Sequence, residues 1–358
     1  MELRERIPHL NAWLEGKEHP TLKQLEHFAN AARVAVGYLF LSSPPDEQLP
    51  IADMRTVGGH GVRRPTPDLL DTIRICQRRQ DWYRDYAAQT GEEEKPFVQS
   101  ATLNSEPDAV AHDMRQVIGF GLAERVGARS REEALRLFIE RAEAAGVLVM
   151  LSGIVGLNTK RPLDANEFRG FALADTMAPV VFVNSTDAEA AQMFTLAHEL
   201  AHIWLGKSAV TDASMPRVSN DKTEQWCNRV AAEFLVPSES LAEMDLGEPL
   251  ASLREYASRF KVSKLVILRR LFDMGMIERS DFDVAYVVAS QSYKSNKPEE
   301  GGGGNFYNTF PRRASRRLIR ALCSDTLAGT TPFRDALHLL GINKADTLRG
   351  LAKQVGVT

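Results

Sequence analysis

The spacing of apolar positions changes several times along these 358 residues, and each change marks an element. Behind Thr21, a residue type that caps helix N-termini, Leu22, Leu25, Phe28 and Ala29 recur at helical spacing, so a helix is expected there. A second stripe runs from Pro67 through Leu69, Leu70, Ile73, Cys76 and Trp82. Residues 107–125 and 130–145 read as two more helices, the latter opened by Ser130 and Glu133 at capping-box spacing. The pattern then tightens into three short apolar runs, 147–151, 168–173 and 178–184, expected as strands of a small sheet. Helical spacing returns over 194–205 and 223–237, again as a pair over 253–263 and 266–275, and finally over 333–342 and 347–352. Pro-, Gly- or acid-rich stretches separate these elements: 42–50, Gly58-Gly59-His60-Gly61, 91–96 and 296–305. The expected class is α+β: mostly helical, with a small mixed sheet packed on the 194–205 helix and flanking helix-turn-helix-like segments.

Composition narrows the possibilities without naming a function. The chain is 44% hydrophobic and 25% charged, as ordinary soluble proteins are, and is long enough for two or three domains. It has no apolar run of membrane-spanning length, and its N-terminus has no apolar signal core, so no membrane partner and no export are expected. Cys76, Cys227 and Cys323 are odd in number and far apart; they read as reduced thiols of a cytoplasmic protein. A net charge of −3 makes any nucleic-acid contact a local matter.

The chemistry is concentrated in His198-Glu199-Leu200-Ala201-His202. Helix residues four apart share a face, so both imidazoles can bind one metal ion, while Glu199 sits one step round the helix, placed to act as a general base. A catalytic zinc takes a third protein ligand and leaves one position open. The 223–237 helix offers Glu224 and Glu233; Glu224 is favoured because Asn228 follows one turn later and can orient a ligand. Cys227, beside that face, is read as a small buried thiol. The other six histidines have no ligand-like neighbours and read as surface or satisfied core residues.

FTLAHELAHIWLG followed by ExxCNRVAAEFLVP resembles the ImmA/IrrE family of metallo-endopeptidases. Ala201 and Cys227 stand where that family often has Gly and Ala, both small-residue changes. The resemblance implies a zinc cofactor held by His198, His202 and Glu224, with Glu199 as catalytic base. It implies a cognate protein substrate, a helix-turn-helix repressor, cut in stress or mobile-element control. It also suggests a partner, toxin or regulator, encoded by an adjacent gene.

Five segments follow: 1–45, partial helix-turn-helix; 46–130, linker and helices; 131–245, metallopeptidase core; 246–295, a helix-turn-helix-like pair; 296–358, a Gly-rich loop and basic helical segment. The first resembles the second half of a Cro/C1-type domain, so a complete DNA-reading unit is expected to be absent or displaced. Arg269 and Arg270 on the 266–275 helix, and Arg312, Arg316 and Arg320 at four-residue spacing, are candidate contacts to nucleic acid or an acidic protein. The alternative for both is an ordinary packed or solvated helix. DNA is possible but a protein partner is favoured; the competing function is a DNA-binding regulator or antitoxin-like partner retaining a zinc-peptidase core. Arg74, Arg78, Arg79 and Arg84, interleaved with Asp71, Asp81 and Asp85, read as a solvated helix face.

Overall fold

Every residue of the strands Leu148–Ser152, Gly170–Leu173, Val180–Asn184 and Ala209–Thr211 is buried, which requires cover on both faces of their sheet. The structure, a computed structural model, describes residues 7–43, 45, 49–54, 64–211, 221–244, 248–295 and 306–357, with side chains only to 289 in the helix ending at Ser295. The Gly58–Gly61 and 296–305 stretches lie outside the described residues.

Strands β1 (Ala52–Asp53) and β2 (Leu148–Ser152) lie at the two edges of a five-stranded sheet. Strands β3 (Ile154–Val155) and β4 (Asn158–Pro162) form a separate ribbon. With β5 (Gly170–Leu173), β6 (Val180–Asn184) and β7 (Ala209–Thr211), the sheet runs β1-β7-β5-β6-β2. Pairs β2/β6 and β1/β7 are parallel; β5 is antiparallel to both β6 and β7.

The two-residue period of the strands sorts their side chains between two cores. Val149, Leu151, Ala172, Val181 and Val183 face one core, formed with helices α4 (Pro107–Ile118), α6 (Arg131–Ala144), α7 (Glu189–Trp204) and α8 (Lys222–Leu235). Leu148, Met150, Phe171, Leu173, Val180 and Phe182 face the other, formed with α3 (Pro67–Thr90). Each fully buried aliphatic or aromatic side chain here contributes about 1.5–3 kcal/mol relative to exposure. The result is a helix–sheet–helix sandwich with α7 pressed against β5 and β6.

Ahead of this body lie α1 (Leu10–Leu14) and α2 (Leu22–Ala32), with a 3-10 turn over Val36–Phe40. Thr21 caps α2 as expected, and Gln24 completes a capping box. The apolar stripe does not form a core, however: Ala29 is its one buried residue, and Leu22 is 61% exposed. The 107–125 helix is broken in two, α4 and α5 (Leu122–Gly127), because Gly119 ends α4 in a left-handed conformation. Ser130 caps α6 but the box is incomplete, since Glu133 accepts from the amide of Arg129 instead.

After the short α9 (Ser238–Ala242), the expected helix pair is α10 (Leu253–Arg259) and α11 (Lys264–Asp273), followed by α12 (Arg279–Ser295). Tyr256, Ala257, Phe260, Val262, Val266, Ile267 and Leu271 belong to the same core as α7 and α8. That core also takes in Phe97 to Phe120, so the boundaries at 130/131 and 245/246 fall inside one packed unit. The C-terminal helices are α13 (Phe306–Ala314), α14 (Arg316–Leu327), α15 (Phe333–Leu340) and α16 (Ala345–Val355). They have a small core of their own, while Leu318 and Ala321 pack with α3 against the sheet. Among the described residues no helix is long and apolar enough to cross a membrane.

Candidate metal centre

The site is built on α7, which is buried from Gln192 to Trp204 between the sheet and α8. His198 and His202 lie one turn apart on one face, with Nε2 atoms 3.2 Å apart. Glu224 enters from the first turn of α8, placing Oε1 3.1 Å from His202 Nε2 and Oε2 3.4 Å from His198 Nε2. One donor atom from each of the three lies within 4.8 Å of the others. Local capping fixes this entry: the Asp221 carboxylate accepts from the amides of Thr223 and Glu224 at 2.7 and 3.1 Å.

The far end of α8 is fixed by arginines. Arg115, Arg125 and Arg270 donate to the carbonyls of Glu233, Leu235 and Val236, groups that a helix C-terminus leaves unsatisfied. Glu233, the alternative ligand, is paired there with Arg270 and accepts from the Ser238 amide, far along the helix from the histidines. The structure therefore brings Glu224, not Glu233, to the pair.

All three converging residues are buried, which sets their proton affinities. Burial opposes the Glu224 carboxylate, but His198 and His202 outweigh it and hold the group at about 2. Burial also opposes a charged His198, yet Glu224 beside it raises its affinity for a proton; for His202 burial prevails and lowers it. The Nδ1 atoms of both histidines are buried without a partner. A carboxylate wedged between two imidazoles demands a positive charge, and a nitrogen–nitrogen–oxygen donor set is one that zinc accepts. The residues present fit such an ion.

Glu199 lies outside this trio. It is fully buried, accepts a hydrogen bond from the Thr211 hydroxyl at Oε1, and keeps Oε2 without a partner. Burial pushes its carboxyl up to about 8, against the pull of His198 and Thr211. Asn228 stands beside His198 and favours its protonated form, although its own Oδ1 makes no hydrogen bond of full geometry. Cys227 is a buried thiol, raised by desolvation, outside the converging group.

The remaining candidates are not brought together. Arg270 is buried on Glu233 of α8, so its proposed contact with a partner is overturned. Arg269 is half-buried and paired with Asp273. The basic face of 312–320 is broken because Ser315, at φ +68°, separates α13 from α14. Arg312 is half-buried on α13, while Arg316 and Arg320 on α14 donate to the carbonyls of Gln354 and Val355, capping α16. Arg79 of α3 is likewise buried, donating to the carbonyls of Leu339 and Arg313, so that helix is not solvated on every side.

Sequence reading missed β7 and β1 altogether. Strand β1 takes the edge beside β7, the Met54 amide donating to the Val210 carbonyl at 3.0 Å. Three and two residues carry no usable periodicity, and neither Thr211 nor Gly170 gave a signal of chemistry.

Residues 142–272 match the family model of a peptidase described as the IrrE N-terminal-like domain. The resemblance to the ImmA/IrrE metallopeptidases therefore stands, and it embraces α10 and α11 as well as the metal-site helices. Residues 314–354 match a domain of unknown function. Among curated relatives, the radiation response metalloprotease IrrE of Deinococcus deserti is 32% identical over 130 residues, 34% of this chain and 44% of that one. The radiation response metalloprotease IrrE of Deinococcus radiodurans is 29% identical over 196 residues, 51% and 56% of the two chains. The chain thus spans about half the length of the curated relatives it matches.

Proposed function

We propose that this protein is a zinc-dependent endopeptidase of the cytoplasm that cuts one regulatory protein, a helix-turn-helix repressor, in stress-response or mobile-element control. The observation that carries the reading is the convergence of His198, His202 and Glu224 with Glu199 alongside, its Oε2 left free. His198, His202 and Glu224 would hold the ion, and Asn228 would steady His198. When bound, zinc supplies Lewis acidity that polarises a carbonyl and acidifies a neighbouring water. Glu199 takes the proton of the attacking water at Oε2 and later delivers it to the departing amine nitrogen.

The kind of substrate is what the ImmA/IrrE resemblance implies, and the Deinococcus relatives, named radiation response metalloproteases, support the peptidase part of the reading. A DNA-binding regulator retaining a peptidase core has less support, because Arg270 is buried and the basic face over 312–320 is broken at Ser315. The test is Glu199→Gln, with repressors encoded beside this gene as substrates. The variant should bind one zinc per chain, melt like the parent and cleave nothing, whereas the zinc-loaded parent cuts one repressor at one bond. Cleavage by the zinc-loaded variant at the parental rate would sink the mechanism.

A further inference from the structure

Glu199 is held by two residues that face each other across the β5/β7 pair, Gly170 and Thr211. Thr211 is fully buried, and its hydroxyl donates to Glu199 Oε1. Its own carbonyl accepts from the Arg169 amide at 3.2 Å, so the strand fixes where the hydroxyl sits. Opposite it, Gly170 lets the sheet approach α7 unusually closely. A Cβ at that position would lie 2.8 Å from Glu199 Oε1, 2.6 Å from Thr195 Cγ2 and 2.9 Å from the Phe182 carbonyl oxygen. No other side chain could occupy this position without moving the strand, the helix or the carboxylate.

The terminal torsion of a glutamate is broad, and a buried carboxylate can turn within its site unless something holds one oxygen. Here one oxygen is held and the other is bare: Oε1 receives Thr211, Oε2 has no partner. We infer that Thr211, with Gly170 opposite, is a positioning residue that anchors Oε1 and so presents Oε2 as the proton-accepting atom of Glu199. The inference rests on the peptidase reading of Glu199. It assigns the hydroxyl a role that packing alone would not need, since a valine would fill the same volume. The donated hydrogen bond also occupies one lone pair of Oε1 and leaves Oε2 with both of its own, which favours Oε2 as the proton acceptor.

A hydroxamate tests this without a known substrate. Acetohydroxamate binds zinc as its anion, and its hydroxyl proton must pass to a neighbouring base. Calorimetry on the zinc-loaded full chain would compare the parent with Thr211→Val, Thr211→Ser, Thr211→Ala and Glu199→Gln, alongside zinc content and melting temperature. Glu199→Gln should bind at least about tenfold more weakly, and Thr211→Val about fivefold more weakly at unchanged zinc content, with Thr211→Ser restoring parental affinity. Thr211→Ala, which cannot clash, should repeat the valine result if the valine variant does not fold. A hydroxyl with only a structural role would lower the melting temperature and leave the affinity of the folded, zinc-loaded variants unchanged, which overturns the inference. Should parent and Glu199→Gln bind acetohydroxamate alike, the peptidase reading falls and takes this inference with it. Should Glu199→Gln weaken while Thr211→Val and Thr211→Ala match the parent, the inference alone falls.

Discussion

Replacing Glu143 with glutamine should make the protein's stability less sensitive to pH, by an amount the structure sets. Glu143 is buried near the end of α6, under the N-terminus of α14. Ser315 Oγ donates to its Oε1 at 2.5 Å and the Arg317 amide at 3.4 Å. Burial is the largest influence and pushes the carboxyl up to about 7 from 4.5, against the pull of Ser315 and the backbone of Arg317 and Arg316. A carboxyl raised in the folded state binds its proton more tightly folded than unfolded. Its contribution is therefore fully present below about pH 4.5 and is lost as pH rises through about 7. At about 1.4 kcal/mol per pH unit, that gap corresponds to about 3 kcal/mol. Glutamine keeps an acceptor oxygen for Ser315 and Arg317 but does not titrate. Urea unfolding of both proteins from pH 4 to pH 8 gives the comparison, and taking the difference removes groups common to both, Glu199 included. The parent should lose about 3 kcal/mol relative to the variant across this range. Parallel stability curves would refute the argument, and with it the idea that α14 is docked through a neutral carboxyl.

Two further outcomes follow from the placement of the acidic and thiol groups. Metal analysis should find zinc lost from Glu224→Ala and His202→Ala but kept by Glu233→Ala. That last variant should instead lose about 3–5 kcal/mol in denaturant, because Arg270 is left buried without its partner. The three cysteines are buried and free, with Cys76 pushed up to about 12 and Cys323 to about 11 by desolvation. A thiol reagent at pH 8 should therefore label none of them until the chain unfolds, and rapid labelling of the native protein would contradict their burial.

The arginines show how misleading a one-dimensional pattern can be. Four-residue spacing over 312–320 describes a basic face only if the helix continues through it, and Ser315 interrupts it. Once the helix breaks, the side chains find different tasks: Arg316 and Arg320 satisfy the end of α16, and Arg317 bonds the Tyr83 hydroxyl and the Glu92 carboxylate. Arg270 and Arg125 are drawn inward by the bare carbonyls of α8, a demand visible only when two helices meet. Exposed apolar residues misled in the same way. Leu22 fits the stripe of α2 but no element covers it among the described residues.

What the sequence determined by itself was local. The i, i+4 spacing of His198 and His202 needs nothing beyond the geometry of one helix, and the three apolar runs before it are short enough to read as strands. Glu224 was legible because its companion, Asn228, shares the face of the same helix. Everything that depends on register between distant segments waited for the tertiary structure. Only the pairing of β5 with β7 puts Thr211 opposite Gly170 and both against Glu199, and a one-residue slip would turn the hydroxyl to the other face of the sheet. The proton affinity of Glu143 was decided the same way: it is raised because the fold removes water from it, and no pattern of neighbours along the chain records that.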